Sequence, residues 1–114
     1  MPNRLFILST LFVFLVVAQT AQSQDAGWKS YMQAGVKAQQ QGKYAEAQKQ
    51  FAAAATEAEH FGANDVRLGQ TLNMLASVEQ GLAHYEKAES AYKRALAIAE
   101  HDEGPNGRNV LQLQ

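Results

Sequence analysis

The chain has no cysteine in its 114 residues. Disulfide staples, thiol catalysis, cysteine-based zinc sites and a lipid-modified cysteine behind a leader are therefore all excluded. Pro2 and Pro105 are the only prolines, so no helix between them is broken for want of a backbone donor. An excess of charge of either sign is also missing: ten Lys and Arg stand against eleven Asp and Glu, giving a formal net charge of -1. The two signs are interspersed, and no basic stripe exists to displace phosphate counterions, which speaks against nucleic acid as a partner. Finally, no apolar run reaches the roughly 20 residues that a helix needs to cross a hydrocarbon core.

What is present divides the chain in two. Residues 1–23 combine the free amine and Arg4, an apolar stretch from Leu5 to Ala18 and a small, polar end, the pattern of a secretory signal peptide. Ala21-Gln22-Ser23 offers small residues where a signal peptidase requires them, placing cleavage before Gln24, with Val16-Val17-Ala18 as the second choice. Export to the periplasm or beyond is expected, with the bacterial periplasm favoured. If the leader is retained it becomes an anchor, the one circumstance in which a membrane is a partner.

From Asp25 onward the composition shifts to Ala, Gln, Glu and Lys, good helix formers with apolar positions three and four apart. Shifting the chain against itself by 41 residues places Tyr44 over Tyr85, Ala47 over Ala88, Phe51 over Tyr92, Ala54 over Ala95 and Ala58-Glu59-His60 over Ala99-Glu100-His101. One further residue of shift pairs Gly62 with Gly104, Asn64 with Asn106 and Gln70 with Gln112. Self-similarity at a fixed period marks a repeat architecture. The breakers predict four helices: one capped by Asp25 and running to Gln40, one from Tyr44 to Phe61, one capped by Asn64 or Asp65 and running to Leu82, and one from Tyr85 to Asp102. Gly35, Ala47, Ala76 and Ala88 lie where paired helices would cross, and larger side chains there would force the axes apart. Phe51, Tyr92, Ala54 and Ala95 would fill the space between one hairpin and the next.

At these residues the chain resembles the tetratricopeptide repeat. Leu72-Asn73-Met74-Leu75-Ala76, Tyr85-Glu86-Lys87-Ala88-Glu89 and Tyr92-Lys93-Arg94-Ala95-Leu96 look like the longer, kinesin-light-chain type, as does Gly104-Pro105-Asn106 ahead of Val110. The resemblance implies an all-α fold, a right-handed α-solenoid of antiparallel helix hairpins. Repeat 1 covers about 27–63, repeat 2 about 66–104 and a partial third repeat 106–114, within a domain of 24–114. Two positions depart from the pattern: Glu79 stands where the family usually has Tyr, and Ala83 replaces the turn glycine.

The resemblance also implies a non-enzymatic binding scaffold whose first helices line a groove for an extended peptide. Carried over by position, that groove presents Lys29, Met32, Gln33 and Val36 from the first copy, and Gln70, Asn73, Met74 and Ser77 from the second. Asn73 is central, because a side-chain amide both donates and accepts towards one peptide unit. The partner is a protein or peptide, with self-association through the apolar C-terminal residues, a membrane-anchored oligomerisation module, or a fragment of a longer array as the alternatives. No cofactor, metal or catalytic residue is expected. His60 and His101 recur at equivalent helix ends, where a cation favours the macrodipole, and His84 falls in a solvated turn. No Walker loop, His-Glu-x-x-His run or Gly-x-Ser-x-Gly elbow occurs.

Overall fold

The computed structural model describes residues 25–103, all helices and short turns with no strand among them. Helix α1 covers 25–40, α2 Tyr44–Glu59, α3 Val66–Gly81 and α4 Tyr85–Glu103. The expected bounds shift slightly: α2 ends at Glu59 with His60 as its C-cap, and Asp65, not Asn64, is the N-cap of α3, its carboxylate accepting from the Arg67 amide. Asp25 lies inside α1, and its carboxylate turns to Lys29 and Arg67 at 3.0 and 3.7 Å. The leader and the third-repeat residues lie outside the described residues.

Two hairpin turns share one design. After α1, Lys43 N–H donates to the Ala38 carbonyl and Gly42 N–H to that of Gln39, with Gly42 at φ +73°. After α3, His84 N–H donates to Glu79 and Ala83 N–H to Gln80, with Ala83 at φ 63°. Both are the paired closure in which one left-handed residue satisfies the last carbonyls of a helix. Glycine enters that conformation freely, whereas Ala83 carries a Cβ into it.

Small side chains set the spacing. Ala47, Ala54, Ala58 and Ala76 are fully buried at 0% exposure, so the helix axes approach closely. Gly35 is the tightest point, since a Cβ there would stand 2.5 Å from the Phe51 ring. Two clusters form the core. One joins Ala55, Ala58, Leu68, Leu72, Ala95 and Ile98, with Trp28 and Phe61 against it. The other joins Ala38, Ala47, Phe51 and Val78, with Met32, Val36, Met74 and Leu82 against it. Phe51 therefore fills the interior as its position predicts, but Tyr92, its counterpart, stays 40% exposed.

Candidate functional site

The first helices of the two hairpins, α1 and α3, lie side by side and are tied near both ends. Trp28 Nε1 donates to Thr71 Oγ1 at 2.8 Å near their N-termini, and Gln39 Nε2 donates to Ser77 Oγ at 3.3 Å further along. Thr71 is satisfied twice over, because its hydroxyl also donates to the Arg67 carbonyl. The Trp28 ring meets Phe61 edge-on with centroids 6.2 Å apart, and the Arg67 guanidinium lies 3.6 Å above the Phe61 ring. Asp65 grips the same guanidinium with both oxygens at 2.9 Å. Those bonds hold the Asp65 carboxyl below its ordinary range against the opposing effect of burial.

The eight residues expected to line a groove divide by depth. Lys29, Gln33, Gln70 and Asn73 are exposed. Met32, Val36 and Met74 are partly buried and pack on the second cluster as a floor, and Ser77 is half-buried and already engaged by Gln39. The arrangement is an apolar floor with amides and one cation along it, suited to holding a peptide backbone through hydrogen bonds. Asn73 also reaches a cleft of about 730 Å³ between α3 and α4, which continues over Gln80, Tyr85, Ala88, Tyr92 and Leu96.

The sequence reading did not find the polar node under the second turn. Glu79 is buried, and its carboxylate accepts from Gln48 Nε2 at 2.7 Å and meets His84 Nδ1 at 2.7 Å. His84 is half-exposed at the turn, as expected, and is also held by Glu79. Burial alone raises the Glu79 pKa, and the bonds from Gln48 and His84, with Lys87 nearby, more than offset it and leave the carboxyl below its usual value. The signal was present in part: a carboxylate at an aromatic position, five residues before a histidine, needs a buried partner. Glu59 of α2 accepts from Arg94 of α4 at 3.2 Å. His60 and His101 are exposed at their helix ends. Among the described residues no group of three His, Asp or Glu is placed to hold a metal ion, and no helix is long and apolar enough to cross a membrane.

Stacked helix hairpins with Ala-lined crossings and a polar face on the first helices define a helical-repeat interaction protein. The tetratricopeptide repeat family model matches residues 29–101, and the chain belongs to that family. No curated protein and no solved structure matches it.

Proposed function

We propose that the chain is a non-enzymatic scaffold that binds an extended peptide or protein segment along α1 and α3, outside the cytoplasm. The carrying observation is the row of exposed Lys29, Gln33, Gln70 and Asn73 over the Met32, Val36 and Met74 floor, on two helices tied at Trp28–Thr71 and Gln39–Ser77. A preorganised groove costs little ordering on binding, because the free helices already hold the bound geometry. Membership of the tetratricopeptide family supports interaction as its role. The long, kinesin-light-chain-like repeat type and export rest on the sequence alone, on the repeat spacing and on the basic, apolar and small-residue order of residues 1–23.

Screening the full chain against an array of extended peptides tests the groove. Double substitution Gln33→Ala with Asn73→Ala weakens the peptides that bind by about tenfold, the loss of one or two hydrogen bonds to amides. Unchanged binding in the double variant places the peptide elsewhere and sinks this reading. N-terminal sequencing of the protein recovered outside the cytoplasm tests export, with a start at Gln24 expected.

A further inference from the structure

The repeat that superposes α2 on α4 makes the first half of the molecule a template for the second. On α2, Ala55 and Ala58 pack with Leu68 and Leu72 of α3, and Ala47 and Phe51 pack with Val78. Gly81 lies against the Tyr44 ring, where even a Cβ would stand 3.4 Å from the ring carbons. Gln48 completes the contact by donating to Glu79 at 2.7 Å. One repeat later the same positions are Tyr85, Ala88, Glu89, Tyr92, Leu96 and Ala99, and all six line the 730 Å³ cleft.

We propose that this outer face of α4 docks an amphipathic helix from a partner chain in the register α3 takes on α2. That helix carries apolar side chains at the positions of Leu68, Leu72 and Val78, and a Lys, Arg or amide donor at the position of Glu79.

Two substitutions between the repeats set these terms. In the first hairpin Phe51 folds onto Gly35, whose missing side chain leaves room for the ring. In the second the residue matching Gly35 is Ala76, which carries a methyl group where Gly35 has none, and the Tyr92 ring is 40% exposed where Phe51 has 0%. Tyr92 is thereby an amphipathic anchor of the kind that interfaces favour. The other substitution inverts a charge: Gln48, the donor to Glu79, becomes Glu89. A carboxylate at the Glu79 register would now meet a like charge, and a donor there is attracted instead. Lys93 engages one Glu89 oxygen at 2.9 Å, with both side chains largely exposed at 75% and 66%, so this pair only softens the preference.

A second copy of the chain does not fit. Its α1 would place Ser30, Lys37 and Gln41 at the registers of Thr71, Val78 and Leu82, setting a cation into the most apolar part of the contact, and Ala38 would offer Glu89 no donor. A second copy is therefore a poor occupant, and the proposed one is a helix of another chain. The inference rests on the scaffold reading only in making the chain a binder, and it concerns the cleft over α4, which shares only Asn73 with the residues proposed for the α1–α3 groove.

Two labelled peptides test it by fluorescence anisotropy against the full chain: the sequence of residues 65–82, and the same peptide with Glu79→Lys. The Lys peptide is expected to bind about fivefold tighter, the scale of one partly screened charge contact. Glu89→Lys in the protein, at an exposed position that folding tolerates, reverses that order. Tyr92→Lys weakens both peptides, and Gln33→Ala in the groove changes neither, so failure of the groove and failure of this face are read separately. Equal affinity of the two peptides, or an order indifferent to Glu89→Lys, overturns the proposal. So does binding that appears only after residues 106–114 are removed, which would make the chain's own continuation the occupant. A dimer broken by Glu89→Lys would make it a second copy, with the same consequence.

Discussion

Glu79 occupies a position where the tetratricopeptide pattern usually has a tyrosine, and a buried carboxylate there must be satisfied from all sides. Gln48 and His84 do so at 2.7 Å each, one from the neighbouring hairpin and one from the turn that follows. The carboxyl therefore titrates below its ordinary value. A depressed carboxylate contributes stability above the unfolded pKa, and that contribution is lost as pH falls through the folded one. Glu79→Gln is expected to cost about 1–2 kcal/mol at neutral pH, the range for disturbing a charged buried hydrogen bond. The gap to the parent protein then closes as the medium is acidified below about pH 4. Denaturant titrations of both proteins across that range check this; a gap constant with pH would show that the charge contributes nothing. Asp65 is depressed too, so the parent is acid-labile for more than one reason, and the difference between the two proteins isolates Glu79.

At the scale of the elements, the helices were legible because their breakers and periods are local. Gly42, Gly62 and the Asp65 cap punctuate a sequence of strong helix formers, and the 41-residue self-match fixes which helices are equivalent. What was not legible depends on contacts between distant positions: Trp28 to Thr71 spans 43 residues and Gln48 to Glu79 spans 31. Family position singles out the residues proposed to line a groove, whereas their depths depended on which side chains the core drew inward. One local departure has a direct consequence. Ala83 closes α3 in the left-handed conformation at φ 63°, where an L-residue with a Cβ is strained by about 1 kcal/mol. Ala83→Gly relieves that strain, partly offset by the greater freedom glycine gives the unfolded chain. A net gain of about 0.5 kcal/mol is expected, with Gly42→Ala losing about 1 kcal/mol at the matching turn. Thermal unfolding of both variants decides it, and a lower midpoint for Ala83→Gly would mean that the Cβ contributes packing that outweighs the strain.

At the scale of the molecule, neither hairpin owns a core of its own among the described residues. The cluster around Leu68 and Leu72 draws on α2, α3 and α4 and is flanked by Trp28 of α1, and the cluster around Phe51 and Val78 joins α1, α2 and α3. Helix α3 belongs to both, so opening either hairpin exposes apolar surface of the other. In a repeat protein the coupling between neighbours decides whether unfolding is stepwise or all-or-none. Shared clusters, the Trp28–Thr71 and Gln39–Ser77 bonds and the Glu59–Arg94 pair all cross between hairpins here, so a single transition is expected. Trp28 is the only tryptophan and reports on the first helix, while far-ultraviolet circular dichroism reports on all four. Coincident denaturant midpoints for the two signals are the expected result. A fluorescence midpoint clearly below the dichroism one would show α1 leaving first, and the groove it forms with α3 would then be a structure that opens before the protein unfolds.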